Sequence, residues 1–406
     1  MRLLPELFLD RRWISRWRYW EHLHEALTRL PYAPGVRLTG KRRRNLWLSN
    51  YEMMVLSERV RSYPIRLNVE PLNACNLRCP GCHTGVRDVG RSRGAMSLDL
   101  YRRILAELGE YLFLVEFHNW AEPLLSKNID TMIGEAVSYG ISTGTSTNLS
   151  FPFDEARAER LVSSGLHFLG VSIDGAQQQT YEKYRVGGDL DTVLANCRRI
   201  AAVKRRLGSD TPHLIWEFHA FPHNEHDVAR ARALAEDIGM EFSLCKGWVV
   251  GGDWRPSVLP ELDYQPSWFP GPCDFLWQRA VVNHDGGVAP CCSTFAPSDD
   301  MGRIALTPEE LGSRTFREVW NGERFRQARR LFHGKQTEAA APANICTACP
   351  IRVDFVEYLE HFDLGLPHES FQRTCRPNDS FNYFWNWTKA QLVGGSGGPR
   401  HPRTPS

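Results

Sequence analysis

Three cysteines within eight residues, Cys75-Asn76-Leu77-Arg78-Cys79-Pro80-Gly81-Cys82, constrain this chain more than any other feature. Their spacing is C-x3-C-x2-C, and they come soon after an extended apolar run, Ile65-Arg66-Leu67-Asn68-Val69. A short loop leaving a strand can curl so that three thiolates face one centre. Thiolates are soft ligands that suit iron–sulfur clusters or zinc. Three of them on a four-iron cluster leave one iron open to bind a small molecule and pass it an electron. The alternative is zinc on Cys75, Cys79, Cys82 and His83. It fits poorly, because closed zinc sites pair their ligands as C-x2–4-C and H-x3–5-H.

Around the loop, strands and helices alternate from about residue 63 to 250. Apolar runs predict strands at Ile65–Val69, Leu112–Phe117, Gly140–Thr147, Phe168–Ile173, Leu214–Ala220 and Phe242–Cys245. Between them, 3.6-residue periodicity predicts helices from a Ser97 cap to Gly109 and over Asp130–Tyr139, Glu155–Ser164, Asp191–Arg206 and Asn224–Gly239. Cys197 falls on the apolar face of the fourth helix, with Val193 and Ile200, and reads as a core residue. Such βα repetition predicts a parallel sheet with right-handed crossovers. In barrels of this type the chemistry gathers at the carboxyl ends of the strands, which is where the three cysteines fall.

The motif and the fragments after later strands resemble the radical S-adenosylmethionine (radical SAM) enzymes. That resemblance implies a partial (β/α)6 barrel. Cys75, Cys79 and Cys82 would hold a [4Fe–4S] cluster whose open iron chelates S-adenosylmethionine. Reductive cleavage would then yield methionine and a 5′-deoxyadenosyl radical that abstracts a hydrogen atom from substrate. Trp120-Ala121-Glu122-Pro123-Leu124 is similar to the family's G-G-E-P-L, which gives Glu122 the methionine amino group. Trp-Ala in place of Gly-Gly is a departure that affects the backbone contacts. Asn148 completes a T-N motif, and Ser146 is within reach of the ribose. Ser172 and Asp174 belong to an S-x-D-G stretch, and Arg185 to Y-R-x-G-G, where the arginine can pair with the methionine carboxylate. Gly81 stands where many members carry an aromatic over the adenine.

Beyond residue 250, glycines and prolines mark a boundary. Cys273, a hairpin-like stretch over 280–288 turning at His284-Asp285-Gly286-Gly287, then Cys291-Cys292, a helix around Phe316–Trp320 and finally Cys346-Thr347-Ala348-Cys349 follow in order. This resembles the SPASM/Twitch extension of radical SAM enzymes. No cysteine stands at 350–374, so the resemblance implies one auxiliary [4Fe–4S] cluster on Cys273, Cys291, Cys346 and Cys349. Cys292 is an alternative to Cys291, Cys375 is left over, and a four-thiolate zinc ribbon is the alternative metal centre.

The expected organisation is an N-terminal helical extension at 1–60, the barrel at 61–250, the SPASM/Twitch-like domain at 251–390 and a disordered tail at 391–406. The Arg- and Trp-rich stretch Arg11–Trp20 fits a helix packed on the barrel's outside better than an interfacial membrane helix. Aromatics over 351–390 are expected to pack back on the core. With 49 Lys and Arg against 47 Asp and Glu, the chain gives no electrostatic reason to bind nucleic acid. No apolar run is long enough to span a bilayer and no signal-peptide pattern opens the chain, so a cytoplasmic protein with reduced cysteines is expected, without membrane contact.

One-cluster members of the family include aminocyclitol dehydrogenases. The resemblance therefore implies oxidation of a carbinol carbon on a sugar, cyclitol or related secondary metabolite of antibiotic biosynthesis. The auxiliary cluster would accept the electron, and a flavodoxin- or ferredoxin-type reductant would prime the first cluster. The base for the hydroxyl proton would come from Glu217, His219 or Lys246. Three other readings stand beside this one: an epimerase returning hydrogen from Cys245, a peptide maturase, and a non-enzymatic metal-binding interaction protein.

Overall fold

A computed structural model describes residues 34–86, 90–247, 272–305, 315–333 and 344–349, together with Arg352. The Arg11–Trp20 stretch, the aromatics beyond 352, Cys375 and the glycine-rich tail lie outside the described residues.

Six strands run in chain order across the sheet: β1 (Arg66–Val69), β2 (Leu114–Glu116), β3 (Ser142–Thr147), β4 (Phe168–Ser172), β5 (His213–Ala220) and β6 (Glu241–Lys246). Every neighbouring pair among them is parallel. Helices fill the crossovers: α2 (Leu98–Leu108), α3 (Ile129–Ser138), α4 (Glu155–Ser163), α6 (Leu190–Leu207) and α7 (Val228–Ile238). Ser97 caps α2 by accepting from the Leu100 amide, as its position predicts. One short helix, α5 (Gln178–Tyr184), was not legible as a separate element. It has seven residues and no side-chain cap, too little for periodicity to register. Before the sheet, α1 (Gly40–Met54) docks through Arg42, whose guanidinium donates to the carbonyls of Leu112, Gly109, Tyr139 and Arg37. That arginine closes orphan carbonyls at the ends of α2 and α3.

The C-terminal hairpin, β7 (Arg279–Val282) and β8 (Gly287–Ala289), is not a detached unit. β7 pairs in parallel with β1, and β8 and β9 (Gly302–Arg303) follow antiparallel, giving one nine-stranded sheet ordered β6-β5-β4-β3-β2-β1-β7-β8-β9. The expected boundary near 250 therefore separates segments of chain rather than separate sheets. Helices α8 (Phe316–Trp320) and α9 (Glu323–Arg330) complete this part, the first with a capping box between Thr315 and Glu318.

Strand alternation sorts the side chains into two environments. Leu67, Val69, Val115, Phe117, Leu169, Val171, Leu214, Trp216, Phe218, Ala280 and Val282 join the main apolar core, and so does Cys197. The alternate positions carry Asn68, Glu116, Ser146, Ser172, Glu217, His219 and Arg279. One face of the sheet is thus a hydrophobic seat for helices, and the other mixes these polar residues with apolar Leu114, Phe168, Ile215 and Val281. Burial of polar groups is costly unless they are satisfied, so polar residues on the inner face are a mark of use rather than of stability.

Candidate active site

The cysteine loop leaves β1 and is held from three sides. The Leu77 amide and Asn148 Nδ2 lie 3.4 and 3.6 Å from Cys75 Sγ, Arg185 Nη1 lies 3.9 Å from Cys79 Sγ, and Cys82 Sγ lies 3.9 Å from the Trp120 carbonyl. Gly85 folds back on the loop so closely that a Cβ there would stand 2.5 Å from the Cys79 carbonyl oxygen. Burial pushes the Cys75 thiol up to about 12, and Glu122, Cys79 and Cys82 add to the rise. Sulfurs this enclosed and this close in charge are poorly suited to stand as free thiolates. A cationic iron–sulfur core would resolve that, so the trio fits the group its spacing implies.

Single-ion geometry does not fit. Among the described residues, no three His, Cys, Asp or Glu side chains converge so as to hold one metal ion. Zinc–sulfur bonds of ~2.3 Å require nearly touching sulfurs, whereas a four-iron cluster takes each thiolate at a different iron. His83, the fourth ligand of the zinc alternative, instead stacks on Phe295 with ring centroids 5.0 Å apart and meets Trp120 edge-on at 4.7 Å.

The flanking positions are brought to the same strand ends. Glu122 is buried and accepts from Thr147 Oγ1 at 2.6 Å, the Asn148 amide at 2.7 Å and the Leu124 amide at 3.0 Å. Burial raises its carboxyl to about 7 against those three hydrogen bonds. It ties the β2 loop to the end of β3. Asp174, fully buried, takes Arg185 Nε on Oδ2 at 2.6 Å, and takes the His219 amide and Nδ1 on Oδ1 at 2.7 and 3.0 Å. Burial alone would push that carboxyl up; Arg185 and His219 outweigh it and hold it at about 2. Asp174 thus engages the ring of His219 at Nδ1, and Nε2 is the ring nitrogen this carboxylate does not hold.

Glu217 accepts from Ser146 Oγ at 2.6 Å and from Ser172 Oγ at 3.2 Å. It therefore sits with the two serines assigned to the cofactor. Cys245 pairs in register with His219 and is buried, with its sulfur 3.7 Å from Ser243 Oγ. Lys246 ends β6, and its side chain lies outside the described residues.

The second cysteine group assembles beside β7. Cys273, Cys291 and Cys292 pack against Phe275, Val281 and Ala289. Burial lifts the Cys273 thiol well above its ordinary value, with Asp274, Cys291, Cys346 and Cys349 as its charged neighbours. The Cys346 thiol rises to about 12 by burial and by Cys349. Cys273 thus has among its neighbours Cys291, Cys346 and Cys349, the residues to which the resemblance gives the auxiliary cluster. Cys292 adjoins Cys291 and packs on the same residues; burial raises its thiol to about 11, and its charged neighbours include Arg279, Glu116 and Asp274.

Sequence reasoning missed the ties between the two parts. Trp120 Nε1 donates to the Thr294 carbonyl at 2.8 Å, so the departure from Gly-Gly supplies a strut to the second cysteine segment. Arg91 is buried and donates to both oxygens of Asp285 at 2.7 Å and to Asp300 at 2.6 Å. Such pairings join residues about 200 positions apart and leave no periodic trace. Asn68 and Glu70 could have been found, because strand alternation puts polar residues where a core would need apolar ones.

Comparison with known proteins agrees with this arrangement. Residues 69–215 match the radical SAM superfamily, and residues 273–350 match an iron–sulfur cluster-binding domain, SPASM. The chain thus carries a radical SAM domain and a SPASM domain, which imply a [4Fe–4S] cluster with S-adenosylmethionine and auxiliary iron–sulfur binding. It is 27% identical over 128 residues to the Fe-coproporphyrin III synthase of Methanosarcina barkeri. It is 26% identical over 125 residues to the PqqA peptide cyclase of Rhodopseudomonas palustris. These matches cover 30% and 31% of this chain and 31% and 32% of those proteins, so the chain spans about a third of the length of the curated relatives it matches. Streptococcus suis SuiB bound to S-adenosylmethionine shares the fold, with a TM-score of 0.51 at 14% identity over 82% of this chain and 80% of that one. BtrN in complex with AdoMet and 2-DOIA aligns with a TM-score of 0.43 at 20% identity over 71% of this chain and 94% of that one. Among the described residues, no helix is long and apolar enough to cross a membrane.

Proposed function

We propose that this radical SAM enzyme is an oxidoreductase that converts a carbinol carbon of a sugar, cyclitol or related metabolite to a ketone. The observation that carries the reading is the set of polar residues on the inner face, Asn68, Glu116, Glu217 and His219, at positions where a hydrocarbon side chain would want apolar lining. When bound, the clusters and S-adenosylmethionine supply abstraction of the carbinol hydrogen and removal of the second electron. Cys75, Cys79 and Cys82 would hold the first cluster, and Cys273, Cys291, Cys346 and Cys349 the auxiliary one. Arg185, fixed by Asp174, presents its charge beside Cys79 and is placed to receive a carboxylate. Ser146, Ser172 and Glu217 form a hydrogen-bonded set for a ribose, while Glu122 and Asn148 shape the loop around the methionine end.

His219 is the base this reading prefers. Asp174 orients its Nδ1 and leaves Nε2 to accept the hydroxyl proton. Glu217 is drawn away by its serines. A flavodoxin or ferredoxin would be the reductant partner. The epimerase alternative rests on Cys245, which shares the inner face in register with His219.

A second reading, a peptide-modifying enzyme, is favoured by the 26% identity to PqqA peptide cyclase. Anaerobic reconstitution followed by S-adenosylmethionine and dithionite separates the cases. Release of 5′-deoxyadenosine that rises with polyol probes and yields a carbonyl product supports oxidation. A rise only with peptides supports the second reading. A Cys245→Ala variant that remains active excludes the thiol-dependent epimerase.

A further inference from the structure

Two arginines stand side by side where the barrel strands meet the C-terminal hairpin. Arg66 on β1 and Arg279 on β7 are register partners, so their side chains leave the same face of the sheet. Both are buried, and so is Glu116, which meets Arg66 Nη2 at 3.3 Å. Burial pushes the Glu116 carboxyl up, but Arg66, His118 and Arg279 outweigh it and hold it below its ordinary value. Like charges held this close in a protein interior are costly unless opposite charge stands near. Glu116 by itself does not offset two guanidiniums.

Arg279 reaches the second cysteine group. Its Nε lies 2.8 Å from Asp274 Oδ2, and its guanidinium covers the Phe275 ring, 5.2 Å from the centroid. Asp274 and Phe275 directly follow Cys273. Cys292, next to Cys291, has Arg279 as a charged neighbour. The cation is therefore set between two of the segments that carry the auxiliary thiols. Its side chain is 8% exposed, whereas that of Asp274 is 39% exposed. Water screens the acid more than the arginine. Burial draws the guanidinium down to about 10, with Arg66 adding to the fall and Asp274 and Glu116 opposing it, so it keeps its charge at neutral pH.

The potential of a cluster held by four thiolates follows its net charge and its surroundings. A buried cation favours the reduced, more negative state, and a carboxylate disfavours it.

We propose that Arg279, held by Asp274, sets the reduction potential of the auxiliary cluster, its buried positive charge raising that potential. The inference deepens the oxidoreductase reading and rests on it for the electron's source. A carbinol radical gives up one electron to the auxiliary cluster and its hydroxyl proton to a base, and becomes a carbonyl. A raised potential makes the cluster a better acceptor in that step.

The test is a redox titration of reconstituted full-length protein, followed by electron paramagnetic resonance. It is run in wild type and in a chain carrying Cys75→Ala, Cys79→Ala and Cys82→Ala, where the auxiliary cluster is read alone at about four irons. Arg279→Gln should lower the ratio of reduced to oxidised cluster at a fixed potential about tenfold or more, a fall of ~59 mV for one electron. Asp274→Asn should move the potential the other way. Arg279→Lys, which keeps the charge, should move it less than Arg279→Gln. The proposal is overturned if Arg279→Gln leaves the potential unchanged, if Arg279→Gln and Asp274→Asn shift it in the same direction, or if Arg279→Lys shifts it as far as Arg279→Gln. A centre that takes zinc and no iron overturns it too. If Arg279→Gln loses iron, Asp274→Asn decides: a rise supports the proposal, and no shift or a fall overturns it. The expected shifts without a carbonyl product from any polyol would leave Arg279 in its role and refute the oxidation.

Discussion

Arg185 reaches Asp174 across the end of β4, with Nε 2.6 Å from the carboxylate Oδ2, and its other arm lies 3.9 Å from Cys79 Sγ. The same carboxylate holds His219. One buried acid therefore positions a guanidinium beside the first cysteine loop and the His219 imidazole at the inner face. Removing one partner of such a buried pair leaves a charge uncompensated, at a cost of about 3–5 kcal/mol. Asp174→Asn should lower urea stability by that order. In reconstituted protein it should also weaken S-adenosylmethionine binding, read by calorimetry. Unchanged cofactor affinity would remove Arg185 from the cofactor site.

Acid should act through the same residue. The carboxyl of Asp174 is held at about 2, below its ordinary 3.8. A depressed carboxylate stabilises the fold above the unfolded value, and that stability is lost as pH falls through the folded one. The loss thus falls between about pH 4 and pH 2, and is on the order of 2 kcal/mol. Chemical denaturation of cluster-free protein across that window should slope in wild type and be flatter in Asp174→Asn.

The two adjacent cysteines should behave differently. Cys291 has Cys346 and Cys349 among its neighbours, whereas the charged neighbours of Cys292 include Arg279 and Glu116. Reconstituted wild type should carry about eight irons per chain. Cys292→Ala should keep them, and Cys291→Ala should fall toward about four. Iron assay with Mössbauer spectroscopy reads the difference, and the reverse result would exchange the two assignments.

Gly85→Ala tests the loop rather than a ligand. The new Cβ would lie 2.5 Å from the Cys79 carbonyl and 2.7 Å from its amide, distances that force backbone movement. The variant should keep its far-ultraviolet circular dichroism and auxiliary iron but lose the first cluster and with it 5′-deoxyadenosine formation. Full iron loading would show that the loop tolerates displacement.

His83→Ala separates stacking from coordination. With its ring against Phe295 and Trp120, His83 should be dispensable for iron and matter only for packing. The cost should be about 1–2 kcal/mol of stability, of the order of an aromatic pair with its buried area. Loss of the first cluster would restore a ligand role for the imidazole.

Much of this protein follows from local rules that a single chain displays. Alternation of apolar runs at Ile65–Val69 and Phe168–Ile173 announced strands, and Ser97 announced a helix start, because period and capping act over a few residues. The C-x3-C-x2-C spacing announced a metal loop for the same reason. Tertiary structure alone decided what depends on distant segments meeting. It joined β7 to β1, brought Cys291 into the neighbourhood of Cys346 and Cys349, and drew Glu217 to its serines. It also arched Asn119 to Asn283 over the end of β1. Such contacts are set by how strands stack and which face each side chain takes, and their partners stand tens to hundreds of residues apart with no shared period to reveal them.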